Sequence, residues 1–192
     1  LNLQKRKQRI KIMNFYSDII MNDIIDNYPL DQVTESIESF GETCFNAIAR
    51  YSYNNIHCKY IFNVLGNTKN IVAFYCIDNE FDLKNCPSML VYRKCKFNNE
   101  IRYYILIACT QRKFRNQGYA SKLLDGLVER IKKETKETDN VKIILSSVEE
   151  SVIFYETYGF KWTRESITDH SDLMRFERYE PKKEYFIMEL SI

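Results

Sequence analysis

The sequence predicts a mixed α+β fold. Its opening segment repeats apolar residues at helical spacing, and its middle turns to β-branched and aromatic runs of strand length. After Gly118 the pattern alternates between helix and strand. The element order is helices, a meander of strands, a βαβα unit and two closing strands.

Residues 17–28, SDIIMNDIIDNY, place Ile20, Met21, Ile24 and Ile25 on one helical face with Ser17 as cap. From Asp31, a second cap, Val33, Ile37, Phe40, Cys44 and Ile48 recur every three or four residues, so a second helix is expected to fade near YSYNN. KYIFNVL and NIVAFYCI flank GNTK and read as two strands of a hairpin. SMLVYRKCKF and IRYYILIACT flank NNE and read as another antiparallel pair. Ala120, Leu123, Leu124, Leu127, Val128 and Ile131 then mark one face of a helix that opens at Gly118. VKIILSSV is a continuous apolar strand, EESVIFYETY a helix that Gly159 stops, and FKWTRES and EYFIMEL the last two strands.

A chain of 192 residues with 45% hydrophobic residues has enough apolar surface for one core. A single domain over 1–192 is expected, with 1–12 as a candidate flexible basic arm. The net charge of +2 comes from nearly balanced acids and bases, so nucleic acid is not an expected partner. The local cluster KRKQRIK at 5–11 reads as a solvated terminus, with a nuclear-import or polyanion-binding arm as the alternative. The longest apolar run, YYILIAC at 103–109, is far shorter than the roughly 20 residues of a membrane-spanning helix. No membrane partner is expected, and with no apolar signal core an intracellular protein, cytoplasmic or nuclear, is. Six cysteines, at 44, 58, 76, 86, 95 and 109, form no CxxC pair, so reduced core thiols and no metal are expected. His57-Cys58, read as strand residues, point to opposite faces.

The stretch QRKFRNQGYASKLL, from residue 111, brings basic and amide side chains to a glycine at a helix entrance. The first amides of a helix have no intrahelical partner and its dipole is positive there, so an anion can bind if the chain lets it approach. Gly118 has no Cβ to obstruct that approach. The plainer reading is a strand-to-helix turn with a solvated loop. GxxxxGK[ST] and GxGxxG are absent, which removes the main support for ATP and dinucleotides.

Forty-one residues after Gly118 comes Gly159 in FYETYGF, with a strand and a helix between them. With these two motifs the sequence resembles the GCN5-related N-acetyltransferase (GNAT) superfamily. Arg115, Gly118 and Ala120 fill that family's R/Q-x-x-G-x-G/A loop, and Tyr155, Gly159 and Phe160 its Y-x-x-x-G-F-like signature. The clear resemblance covers about residues 100–163. It implies a mixed, mostly antiparallel twisted sheet of about six or seven strands with helices on both faces.

The resemblance also implies acetyl-CoA as donor, an amine as acceptor and no metal. A monomer or homodimer is expected. Ile107, Ala108 and Cys109 would offer the strand edge to pantetheine. The amides of Asn116, Gln117, Gly118, Tyr119 and Ala120 would face the pyrophosphate, with Arg112, Lys113, Arg115 and Lys122 as charge partners. The Cys109 amide would stabilise the oxyanion, and Tyr155 would protonate the departing thiolate as general acid, the amine attacking directly. The Cys109 thiol reads as core, not as nucleophile.

Departures from the family are specific. The strand position where some lysine-acetylating branches carry Glu is Tyr103, leaving Glu100, Glu149, Glu150 or water as base. The Asn and Ala seven and four positions before the family's tyrosine are Val148 and Ser151. Asp169, Asp172, Glu177 and Glu180 offer attraction to a cationic amine, or a merely solvated loop. The acceptor stays open among protein lysine, a protein N-terminus, a polyamine and a small amine. A catalytically silent acyl-CoA-binding or interaction module is the alternative class.

Overall fold

In the computed structural model, which describes residues 24–29, 37–53, 55–67, 69–77, 85–97, 99–173 and 183–192, seven strands form one sheet. The strands are Ile24–Pro29 (β1), Asn70–Tyr75 (β2), Ser88–Phe97 (β3), Glu100–Thr110 (β4), Asn140–Val148 (β5), Lys161–Trp162 (β6) and Tyr185–Ser191 (β7). The helices are Ile37–Ser52 (α1), Cys58–Leu65 (α2), Tyr119–Glu134 (α3) and Glu149–Tyr158 (α4). Sheet order is β1-β2-β3-β4-β5-β7-β6, with β4 and β5 parallel and every other neighbour antiparallel. This is the mixed, mostly antiparallel sheet that the family resemblance implies.

Two cores sandwich the sheet. On one face α1 and α2 bury Cys44, Ile48, Tyr51, Tyr60 and Val64 against Val72, Val91, Tyr104, Leu106 and Ile187. On the other, α3 and α4 bury Leu123, Leu127, Ile131 and Tyr155 against Leu90, Tyr103, Ile105, Ile143 and Met188. Alternation along β4 therefore sends Tyr103 and Ile105 to the α3/α4 face and Tyr104 and Leu106 to the α1/α2 face.

A bulge breaks that alternation. Tyr92 faces Ile105 and Val91 faces Ile107, so Leu106 is one residue in excess on β4. Ile107 consequently joins Leu106 on the α1/α2 face, with Cys109 packed beside it. A bulge bends its strand and increases local twist. It also disturbs the ladder, and here the Leu106 carbonyl accepts a hydrogen bond from the buried Tyr60 hydroxyl (2.8 Å).

Several elements differ from the expectation. KYIFNVL is not a strand: Tyr60, Ile61, Val64 and Leu65 are buried at helical spacing in α2. His57 is its N-cap, the Lys59 amide donating to Nδ1 (3.2 Å), and Gly66 closes it through its N–H to the Phe62 carbonyl (2.8 Å). β2 pairs instead with β1 and β3. Ile24–Pro29 is an edge strand where a helix was expected, and the Pro at its end suits an edge because Pro lacks the N–H a ladder needs. Residues 17–23 of that expected helix, and the basic cluster at 5–11, lie outside the described residues. The expected strand over 160–166 shrinks to Lys161–Trp162, since Arg164 turns left-handed (φ 64°) and Ser166 caps a short 3-10 turn over Ile167–Asp169.

The cysteines are not all reduced thiols. Cys76 and Cys86 form a disulfide, because the ends of β2 and β3 lie side by side whatever their sequence spacing. Among the described residues no group of three or more His, Cys, Asp or Glu is placed to hold a metal, and no helix is long and apolar enough to cross a membrane.

Tyr60→Phe keeps the ring but removes the buried hydrogen bond to the Leu106 carbonyl, which should cost about 1 kcal/mol in urea unfolding. Ile153→Ala, at a position 76% exposed, should change stability by no more than about 0.5 kcal/mol.

Candidate functional site

β4 and β5 pair in register from Glu100 with Asn140 to Ile105 with Leu145, and there the pairing stops. Beyond it β4 stays with β3 as far as Thr110, while β5 stays with β7 as far as Val148. The strands part just past the bulge. A cleft of about 720 Å3 fills the opening, walled by Leu106–Thr110 on one side and Ser146–Val148 on the other, with Phe154 and Tyr155 of α4 and the entrance to α3.

That entrance leaves the first backbone amides of α3 without a side-chain cap. Gly118 is the N-cap of α3 with φ 79°, a conformation L side chains rarely adopt. A Cβ built there would meet no atom within 4 Å, so its surroundings are open space. No side chain caps the helix and no acidic residue sits in its first turn, so the positive end of the dipole is left for something else to satisfy. Asn116 is also left-handed (φ 60°), and the Gln117 side chain donates to the Lys113 carbonyl (2.8 Å), bracing the loop from within.

A model of the acetyltransferase (GNAT) domain family matches residues 95–175, the segment that holds β4, the bulge, the loop, α3, β5 and α4. Over that segment the chain is similar to the GNAT acetyltransferase domain. One chain of the NatC complex bound to Gag peptide and CoA superposes with a TM-score of 0.55 at 18% identity, over 90% of this chain and 99% of that one. Tetrahymena GCN5 gives 0.53 at 11% identity, over 79% and 88%. Arabidopsis thaliana Naa50 in complex with the bisubstrate analogue CoA-Ac-MVNAL gives 0.51 at 16%, over 88% and 99%. No curated protein matches the chain.

Within this GNAT framework, Ile107, Ala108, Cys109, Arg115, Asn116, Gly118, Tyr119, Ala120 and Tyr155 all line the cleft. Arg112, Lys113 and Gln117 stand outside its wall. The Arg112 guanidinium lies over the Tyr53 ring (5.7 Å) and the Lys113 ammonium over Phe114 (4.5 Å). Arg115 turns toward the end of α1: it donates to the Thr110 and Tyr51 carbonyls, both at 3.3 Å, and shares the Tyr53 ring (5.5 Å). Lys122 lies over Tyr75 (5.6 Å) and Tyr119 (5.5 Å).

Tyr155 is buried, and burial, reinforced by neighbouring Cys109, pushes its hydroxyl up to about 12. It holds its proton throughout the neutral range. Burial likewise pushes the Cys109 thiol up to about 12, with Arg115 pulling weakly the other way, so the thiol stays un-ionised.

The acids lie elsewhere. Tyr103 is not part of the cleft wall and donates to Glu134 (3.3 Å). Glu100 sits at the far end of β4, ion-paired with Arg102 and with Lys142 (3.4 Å). Asp172 pairs with buried Arg93, Asp169 caps the Ser166 turn, and Glu177 and Glu180 lie outside the described residues. Glu150 is the carboxylate among the described cleft residues, at the first turn of α4.

The sequence reading missed Tyr51, Asn55, Ser146, Lys183 and Tyr185, which complete the wall. The Lys183 ammonium donates to the Asn55 carbonyl (3.2 Å), joining the α1–α2 connection to the start of β7. A separation of 128 residues carries no local pattern that could have announced this contact.

Iodoacetamide at pH 7.5 should modify exposed Cys58 at least about tenfold faster than Cys109 under mass-spectrometric readout, because the thiolate is the reactive form. On the alkaline side, thermal stability should fall from about pH 9 toward 12. Cys44, Cys109 and Tyr155 all keep their protons longer folded than unfolded, so raising pH favours the unfolded chain.

Proposed function

We propose that this chain is an acetyl-CoA-dependent N-acetyltransferase that passes the acetyl group to a primary amine by direct attack in a ternary complex. The observation that carries this reading is the opening of the parted β4–β5 pair onto the uncapped N-terminus of α3 at Gly118. The exposed edge of β4 accepts an extended pantetheine as an added strand, and Gly118, Tyr119 and Ala120 present backbone amides to the pyrophosphate. The fit is supported by the open space at Gly118 and the missing cap. Acetyl-CoA supplies an acyl group already activated as a thioester.

Each remaining task falls to a group of the cleft wall. Stabilising negative charge on the acyl oxygen falls to an amide of the free β4 edge. The Gln111 N–H bond to the Pro87 carbonyl sets the ladder phase that turns the Cys109 N–H toward Met89 of β3 and the Ala108 N–H toward the cleft, which moves this role from Cys109 to Ala108. Tyr155, with its hydroxyl kept protonated by burial, is the donor to the leaving sulfur. Deprotonation of the amine falls to water or to Glu150, the carboxylate among the described cleft residues, since Tyr103, Glu100, Asp169 and Asp172 are committed elsewhere. Weak base assistance favours an acceptor that is partly neutral at physiological pH. An α-amine, with a pKa near 8, meets this condition far better than a lysine near 10.4. A peptide N-terminus is therefore the acceptor class this reading favours, in keeping with the peptide-bearing ligands of the NatC and Arabidopsis structures.

Release of CoA thiol, measured with the peptide MVNAL, an Nα-blocked lysine peptide and spermidine, tests the reading. Saturable turnover is expected with MVNAL first. Binding of acetyl-CoA without turnover of any amine would instead establish the silent module. Tyr155→Phe should lower kcat on the order of 100-fold or more, and unchanged turnover would remove it as the acid. Gly118→Glu should abolish acetyl-CoA binding, because it strains a left-handed position and places negative charge at the phosphate site. The rate should rise with pH through the amine pKa of about 8, with no loss from Tyr155 until pH nears 12.

A further inference from the structure

The loop from Gln111 to Gly118 is held from beneath by one residue of α1. At its start, the Gln111 amide donates to the Pro87 carbonyl (2.8 Å). The Gln111 side-chain nitrogen donates both to the Cys86 carbonyl (2.9 Å) and to the Tyr51 hydroxyl oxygen (2.9 Å). The Tyr51 hydroxyl in turn donates to the same Cys86 carbonyl (2.7 Å). Farther along the loop, Arg115 donates to the Tyr51 backbone carbonyl (3.3 Å). Tyr51 thus grips the loop twice, by its side chain at Gln111 and by its main chain at Arg115. Cys86 is itself tied to Cys76 by the disulfide, so the shared carbonyl belongs to a cross-linked strand end.

Both side chains are buried, Gln111 at 9% and Tyr51 at 2% exposure, and Gln111 is not part of the cleft wall. We propose that Gln111 and Tyr51 are positioning residues for pyrophosphate recognition: they set where the Gly118–Ala120 amides stand, without touching the ligand through Gln111. This rests on the acetyl-CoA reading above. Amide-to-anion hydrogen bonds weaken steeply with misplacement, so a loop that is free to shift loses them first. The pantetheine edge does not share that dependence. β4 is paired with β3 out to Thr110, and the Ser88 and Thr110 hydroxyls are bonded at 2.8 Å.

The two donors acetyl-CoA and S-acetylpantetheine separate this role from a general structural one, because the second lacks the pyrophosphate. With MVNAL as amine, Gln111→Met and Tyr51→Phe should each lower kcat/KM for acetyl-CoA about tenfold, and leave that for S-acetylpantetheine within about twofold. Tyr51→Phe keeps the buried ring and carries the test if Gln111→Met fails to fold. An equal fall for both donors, or no fall for either, would overturn the proposal. So would a wild-type protein that shows no preference for acetyl-CoA over S-acetylpantetheine. A wild-type protein that transfers from neither donor to MVNAL, the blocked lysine peptide or spermidine overturns the proposed function itself, and this inference with it.

Discussion

The Tyr60 hydroxyl donates to the carbonyl of Leu106, the residue β4 holds in excess of β3. Much of the cleft depends on that arrangement. The extra residue changes the phase of β4, so that Ile107 and Cys109 turn toward α1 and α2 while Ile105 still packs under α3. It also coincides with the last β4–β5 pair, Ile105 with Leu145. Two parallel strands that stayed in register would leave no gap and no free edge. A carbonyl displaced from its ladder would be costly if buried unpaired, and Tyr60 from α2 removes that cost. The helix that the sequence reading took for a strand is therefore what makes the bulge tolerable.

That error shows where local pattern runs out. KYIFNVL has strand composition, yet the residues that end up buried are spaced for a helix, and the tertiary partner decided between them. SMLVYRKCKF, IRYYILIACT and VKIILSSV were legible because each is a central strand with a stretch of consecutive buried residues. The two glycine motifs were legible for a different reason, since each requires a backbone conformation that few residues tolerate. The bulge was not legible, because an extra residue in a continuous apolar strand leaves no mark in composition. Neither was Tyr51, whose partners include Cys86, Gln111 and Arg115, 35, 60 and 64 positions away.

Charge was the least readable feature. The sequence leaves the charged residues before β7 as a solvated loop or an attraction for a cationic amine, and charge in a sequence says nothing about what it will neutralise. Asp172 is drawn into a buried pair with Arg93, whose Nε also donates to Asn70 (2.7 Å), and Asn70 donates to the end of α2 at Val64 (2.6 Å). His170 sits between the Tyr104 hydroxyl (3.3 Å) and Glu165 (2.9 Å). Glu165 is held below the usual carboxylate range chiefly by that histidine bond. These groups hold residues 165–172 on the α1/α2 face of the sheet, where Ile167 joins the core.

The two glycines do opposite work at opposite helix ends, and together they bring two parts of the cleft into opposition. Gly118 leaves the amides of α3 open at their positive end, whereas Gly159 closes the carbonyl end of α4. With φ at 120°, Gly159 turns the chain so that its own N–H and that of Phe160 both donate to the Tyr155 carbonyl (3.1 and 2.9 Å). The Phe160 ring then packs edge-on against Tyr155, with centroids 5.5 Å apart. Tyr155 is thereby held by backbone on one side and by an aromatic edge on another, and its hydroxyl end is left to the cleft beside Cys109. A signature that reads in sequence as a helix stop is, in the fold, the mount for a buried hydroxyl. Its spacing from Gly118 follows from the helix and strand that must intervene for α4 to return to the mouth of β4.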